Sequence, residues 1–317
     1  MASLQVEASP EEDAVIKLQR TFLLVTLGLS SLIYGSKVDP LDFTRGVKKP
    51  KAMWMSMFVS VLLSPVLAYV LILALRLEVR EGIALLVTSC CPAGNLSPIF
   101  TYYTEADICL SLSVIVLSTL MSVGMIPLGV YICSNAYTEL DLTVIPNTLI
   151  VVNLCVNIGG IALGMAFRRY KEKWADRFVK AVSYLPLLVV IAMIIIVRIK
   201  LPNSVDASIK DISAVFLYLI IVLCGTYLTG MLVDQDHHVC RAMGLCSADK
   251  SVALALSIIH VSFSGEALVD TLTIPTLFLI EYILIGVVLS VAYQIYSYHT
   301  FSPFTVILEN LRPVTPV

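Results

Sequence analysis

The sequence predicts an all-α membrane protein of about nine transmembrane helices, arranged as inverted repeats with two broken helices. Three observations carry this. The chain of 317 residues is 58% hydrophobic and only 14% charged, with a mean hydropathy of +0.90, whereas a soluble domain carries about a quarter charged residues. Apolar stretches of ~20 residues recur from end to end, each long enough to cross ~30 Å of hydrocarbon. Two of these stretches are interrupted midway by small and polar residues, SCCPAGNLSP at 89–98 and LCSADKS at 245–251.

The elements follow in order. Residues 1–14 form an acidic, polar tail without the basic n-region of a signal peptide. The first segment, 15–35, runs into a loop carrying Lys37, Arg45, Lys48, Lys49 and Lys51. The second, 53–76, ends at Arg76; the third, 80–104, starts at Arg80 and holds the first interruption. The fourth, 108–134, and fifth, 144–167, lead to a second basic loop with Arg168, Arg169, Lys171, Lys173, Arg177 and Lys180. The sixth, 178–199, reaches a loop with Arg198, Lys200 and Lys210. The seventh, 211–233, the interrupted eighth, 239–263, and the ninth, 272–297, complete the set before a tail at 298–317. Lysine and arginine favour the cytoplasmic loops, so the N-terminus is expected outside and the C-terminal tail in the cytoplasm. The expected location is the plasma membrane or an endomembrane.

The segment order contains a repeat. The first four segments end in plain, broken, plain, and the last five end in the same three. Broken helices at matching places in two units mark a secondary transporter with inverted repeats. An odd total sets the two units in opposite senses.

A break frees backbone groups at membrane depth, which is tolerable where it is buried in protein or lines a watery cavity. Gly94 allows backbone geometry that other residues resist. Ser97 suits an N-cap and Pro98 the first helical position. A half-helix is therefore expected to start near Pro98 with its positive dipole end pointing into the protein, a natural seat for an anionic group. In the second break, Asp249 and Lys250 would each cost ~2.5–3.5 kcal/mol against lipid, so they are expected to face the interior, where ionisable residues mark transport paths. Helical neighbours point ~100° apart, so the two need not pair. Glu281, alone within TLFLIEYILIG, and Ser111 are expected nearby. Asp249 and Glu281 are the proton-coupling candidates.

Other polar residues carry weaker signals. Asn153 and Asn157, one turn apart, suit a cavity lining or a helix–helix hydrogen bond. His260 suits helix packing, and His237–His238 beside Asp234 and Asp236 is read as loop without a metal. The eight cysteines contain no C-x-x-C pair, so neither a disulfide framework nor a zinc site is expected. Asn95-Leu-Ser97 lies within an apolar run and is expected unmodified. No nucleophile–base–acid set or phosphate loop appears and the soluble portions are short, so no enzyme, no cofactor and no nucleic-acid partner is expected.

CCPAGNLSPIF followed by DICLSLSVIVLSTLMSVGMIPLGVYI resembles the first broken helix and the next helix of the bile acid:sodium symporter family, whose core reads P-G-G-N-x-S. FSGEALVDTLTIPTLF resembles the family's F-P-P-E…P stretch. The resemblance implies a panel domain (15–35 and 144–199) and a core domain (53–134 and 211–297) in which the two broken helices cross, with organic anions bound in the crevice between domains. Substrate contacts are expected near the crossing, at Asn95, Ser97, Lys250 and Ser251.

The departures from the family pattern concern sodium. The resemblance carries the first sodium site onto Ser97, Pro98, Ser111, Ile115 and Cys246, and the second onto Cys246, Lys250 and Ser60, with Asp249 at a backbone contact. Two hydroxyls survive in the first site, but the family's asparagine, threonine and glutamate are gone. Sodium wants oxygen ligands and compensating negative charge. Two unit charges ~4 Å apart repel by ~4 kcal/mol at an effective dielectric of 20, roughly a thousandfold in affinity. The leading expectation is an organic-anion carrier with weakened or absent sodium coupling, Lys250 itself standing as the cation. The alternatives are sodium symport through a remodelled site using Asp249, and a non-transporting receptor or partner-binding relative.

Overall fold

A computed structural model describes residues 50–136, 147–182 and 208–300, apart from residues 95 and 264, together with scattered residues between 21 and 36. Residues 1–14 and 301–317, most of the expected segments 15–35 and 178–199, and the basic loop 37–49 lie outside the described residues.

The order is α1 (Pro50–Met57), a π-helical stretch (Phe58–Leu63), α2 (Ser64–Leu75), α3 (Val79–Cys90), α4 (Ser97–Tyr103), α5 (Ile108–Ala136), α6 (Asn147–Tyr170), α7 (Glu172–Val182), α8 (Ile209–Leu232), α9 (His237–Ala248), α10 (Val252–Ser262) and α11 (Gly265–Thr300). Among the described residues there are no strands, and four helical stretches are long and apolar enough to cross a membrane: Pro50–Leu75, Ile108–Leu128, Ile209–Leu232 and Asp270–Tyr298. Their exposed faces carry residues such as Trp54, Leu62, Leu73, Leu228 and Val288, the composition that lipid contact requires.

Local chemistry sets the ends. The Glu78 N–H donates to Glu81 Oε2 at 3.3 Å and starts α3. At α8 the Ser208 N–H donates to Asp211 Oδ2 at 2.9 Å, while Ser208 Oγ accepts from the Lys210 N–H at 3.4 Å. Arg76, at φ 52°, turns the chain in the left-handed region after α2. Buried hydroxyls inside helices return their protons to the preceding turn: Thr88 to the Ala84 carbonyl, Thr119 to Ile115, Thr226 to Val222 and Ser290 to Gly286.

α3 packs on α2 and α11, α10 on α11, and α8 on α9 and α11. The shared core includes Leu85, Val215, Tyr218, Leu254, Ile274 and Phe278, and a second cluster joins α1, α5 and α9 through Met53, Val114, Met243 and Cys246. At one end Arg241 gathers three elements. Its Nε donates to the Thr104 carbonyl at 3.1 Å, and its Nη2 donates to the Glu105 carbonyl at 3.3 Å. The same Nη2 reaches Tyr293 Oη at 3.4 Å, and the guanidinium lies 4.5 Å from the Tyr293 ring centroid. Tyr293 in turn donates to Glu105 Oε2 at 3.1 Å.

His237 and His238, expected in a loop, open α9 instead. His237 stacks against Tyr227, whose hydroxyl lies 2.9 Å from Nδ1. The interval 172–182, read as loop and the start of the sixth segment, is the separate helix α7.

Candidate functional site

Two extended interruptions meet in the interior. Pro92 biases the residue before it toward extended backbone, and Cys91 accordingly sits at φ −66°, ψ 151° and ends α3. Asp249, at φ −71°, ψ 131°, ends α9 without any proline or glycine beside it. The two interruptions pair as a single antiparallel bridge, Ala93 with Lys250. The Gly94 N–H donates to the Asp249 carbonyl at 3.1 Å, and the Ser251 N–H to the Pro92 carbonyl at 2.9 Å. The Ala93 N–H goes to Ser118 Oγ at 3.0 Å. Backbone groups released by one break are thus largely satisfied by the other, which answers the demand that buried backbone polar groups be paired. Gly94 is required here: a Cβ would stand 2.2 Å from Asp249 Oδ1 and 2.6 Å from the Lys250 carbonyl oxygen.

Because Asp249 and Lys250 lie on extended backbone, their side chains alternate to opposite faces rather than diverging by the helical angle expected from the sequence. Both are only 2% exposed. Asp249 Oδ2 accepts from the Leu96 N–H at 2.9 Å and the Ser97 N–H at 2.6 Å. Lys250 Nζ turns the other way, donating to the Ser60 carbonyl at 2.5 Å and to Ser60 Oγ at 3.1 Å.

The Ser97 expectation is corrected by this geometry. Ser97 is the first helical residue of α4, its hydroxyl donates back to the Gly94 carbonyl at 3.3 Å, and the capping acceptor is the Asp249 carboxylate. The positive end of α4, expected as a seat for an anionic group, is occupied by the protein's own Asp249 carboxyl group. Pro98 occupies the first turn, where its missing N–H costs nothing.

The lysine's partner exists because of a local defect in the span Pro50–Leu75. The Ser64 N–H reaches back five residues to the Val59 carbonyl, giving the π turn. Pro65, next in line, has no N–H. The Ser60 carbonyl is left open to a donor from outside its helix, and Lys250 takes it. π turns are common at functional positions.

One turn before the break, Cys246 Sγ donates to Ser111 Oγ at 3.0 Å, and Ser247 shares a 3.0 Å contact with Ser56 Oγ. Tyr282 donates to the Leu245 carbonyl at 3.0 Å. Ser111, expected beside Asp249 and Lys250, therefore bonds to Cys246, and Ile115 is buried on the same helix, offering methyls. Ser251 is buried and flanks α10 without a side-chain cap bond. Glu281 is 8% exposed, and neither carboxyl oxygen has a partner among the described residues. Asn95 and the side chains of Asn153, Asn157 and His260 lie outside the described residues. Among the described residues no cluster of three or more His, Cys, Asp or Glu is placed to hold a metal.

Sequence reasoning did not find Ser118, Pro65 or Tyr282. Pro65 carried a signal, a proline inside an apolar span one turn from Ser60; Ser118 and Tyr282 carried none.

Long apolar helices around a buried, charge-bearing pair of helix interruptions define a multi-pass integral membrane protein. Residues 24–205 match the family model described as the sodium bile acid symporter family, and the chain belongs to that family. Relatives include the sodium-dependent organic anion transporter of Homo sapiens, 26% identical over 276 residues, covering 86% of this chain and 72% of that protein. The Mus musculus protein of the same name is 28% identical, covering 90% and 77%. The ileal sodium/bile acid cotransporter of Oryctolagus cuniculus is 25% identical, covering 81% and 74%.

Proposed function

We propose that this chain is a secondary transporter of organic anions of the bile acid or steroid sulfate kind, working by alternating access with weakened or absent sodium coupling. Family membership, and relatives whose names give sodium-dependent organic anion and bile acid transport, support the substrate class. On this reading α3–α4 and α9–α10 are the two broken helices of an inverted repeat. Substrate approaches where they meet, near Ser97, Lys250 and Ser251, with Asn95 in the same stretch.

The observation that carries the coupling reading is Lys250 Nζ seated on the carbonyl and hydroxyl of Ser60. The ammonium holds the oxygens an alkali ion would need. The remaining carried-over hydroxyls are engaged within the protein, Ser97 with Gly94 and Ser111 with Cys246. A cation brought within ~4 Å of a charged Lys250 meets ~4 kcal/mol of repulsion at an effective dielectric of 20. Coupling then falls to protons, through Asp249 or Glu281, or is absent. Uptake of labelled taurocholate and a steroid sulfate into proteoliposomes, with sodium, potassium and pH gradients compared, tests this: uptake without a sodium requirement is expected. A strict sodium requirement overturns the coupling reading, and no uptake of any anion under any gradient overturns transport.

The second reading is sodium symport through a remodelled site. The Asp249 carboxylate favours it, since it returns a buried negative charge to a region where Cys246 has none. Under that reading Asp249→Ala abolishes sodium stimulation.

A further inference from the structure

We infer that α7 is an interfacial helix that binds anionic lipid headgroups at the membrane surface where α6 ends. This is independent of what the protein carries.

The apolar run of α6 gives way at Arg168 and Arg169, and the helix stops at Tyr170. Lys171 then serves as the hinge. Its N–H still bonds to the Phe167 carbonyl at 2.9 Å, while its own carbonyl accepts from the Trp174 and Ala175 N–H groups at 3.0 and 2.9 Å and starts α7. With one residue between the two helices, and ~1.5 Å of rise per helical residue, α7 is held at the depth where the apolar span ends.

The sequence of α7, EKWADRFVKAV, is amphipathic. Ala175 is fully buried and Phe178 packs edge-on against Phe167 at 6.0 Å. The Arg168–Asp176 ion pair fastens α7 to the end of α6. Trp174, one turn before Phe178, remains 62% exposed, and Tyr170 81%. A tryptophan and a tyrosine left open beside the end of an apolar span have the amphipathic character of a membrane-interface belt.

Charge identifies the ligand. Residues 168–182 contain six basic groups (Arg168, Arg169, Lys171, Lys173, Arg177, Lys180) and two acidic ones (Glu172, Asp176), a surplus of four in a chain whose net charge is −2. Asp176 is already used by Arg168. The side chains of Arg169, Lys171, Lys173 and Arg177 are exposed. The Arg177 guanidinium lies 5.5 Å from the Trp174 ring centroid, so one cation and the exposed indole share a surface. Basic groups beside exposed aromatic rings, tethered at headgroup depth, fit anionic lipid, whose phosphate and carboxylate oxygens take Lys and Arg donors while the rings enter the acyl boundary.

The chain's two tryptophans make the test direct. A Trp54→Phe protein leaves Trp174 as the sole indole. The full chain is placed in nanodiscs of phosphatidylcholine, with or without phosphatidylserine, each containing brominated acyl chains. The expected result is stronger quenching of Trp174 emission in the phosphatidylserine discs, reduced at high salt by screening. Arg169→Gln with Lys171→Gln, Lys173→Gln and Arg177→Gln should erase the difference between the two lipids. The salt titration on the single variant keeps the test independent of how the multiple variant folds. Quenching indifferent to headgroup charge and salt, or an indole unquenched in every disc, overturns the inference.

Discussion

Asp249 Oδ2 lies 2.6 Å from the backbone nitrogen of Ser97, 152 residues away in the chain. The carboxylate of one interruption closes the positive end of the half-helix that follows the other. On the proposed function, an anionic substrate that approaches this terminus meets a seat already filled, while the Lys250 amine in the same region is itself held on Ser60. The arrangement ties α4, the bridge at Ala93 and the π turn of Phe58–Leu63 into one polar unit.

Asp249→Ala removes the acceptor shared by the Leu96 and Ser97 N–H groups. Loss of an N-cap costs ~1–2 kcal/mol, and bonds to a charged acceptor sit at the upper end of the scale, so a destabilisation of about 2 kcal/mol is expected. Asp249→Asn keeps one acceptor oxygen and should lose roughly half as much. Thermal unfolding in detergent ranks the variants; equal melting temperatures for all three proteins refute the capping role.

Lys250→Gln combined with Cys246→Glu removes the ammonium and supplies an anionic oxygen donor one turn before it. The ~4 kcal/mol repulsion disappears, and on the proposed weak-coupling reading sodium should stimulate uptake more strongly than it does in the parent. Proteoliposome uptake against external sodium concentration reads this. Unchanged sodium dependence means that the ammonium does not govern ion coupling.

Gly94→Ala drives a methyl group to within 2.2 Å of Asp249 Oδ1 and 2.6 Å of the Lys250 carbonyl oxygen. The second contact is backbone and cannot rotate away, so the bridge must part. About 3 kcal/mol of destabilisation is expected, typical of overpacking at a tight site, with transport lost in parallel. Gly124→Ala is the control, because nothing stands within 4 Å of its added Cβ. If the Gly94 variant is as stable and active as that control, the close approach of the two interruptions is wrong.

Arg241→Lys abandons a planar fork that reaches two carbonyls and stacks on Tyr293. Lysine cannot reproduce that geometry, and a loss of ~1–2 kcal/mol is expected. Tyr293→Phe keeps the ring under the guanidinium and forfeits only hydroxyl contacts, so it should cost less. Melting temperatures in the reverse order contradict the assignment of Arg241 as the organising residue.

The sequence alone determined the features that composition and local chain chemistry control. Apolar runs of membrane length announce helices because backbone groups in hydrocarbon must pair within their own segment; Pro50–Leu75, Ile108–Leu128, Ile209–Leu232 and Asp270–Tyr298 were all legible in this way. Gly94 marked the first interruption, since glycine admits close backbone approach; the part of Pro92, which sets the extended backbone of Cys91, emerged only from the structure. The inward placement of Asp249 and Lys250 followed from the cost of exposing charge to lipid. Their partners did not. Asp249 finds Ser97 across 152 residues and Lys250 finds Ser60 across 190. Those choices depend on α9 ending where no glycine or proline ends it, so that extended backbone sends two adjacent side chains to opposite faces. They also depend on a carbonyl freed by Pro65 being brought to the right depth. Hydrogen bonds of this reach are decided by how helices pack, and packing is a property of the assembled chain rather than of any segment within it.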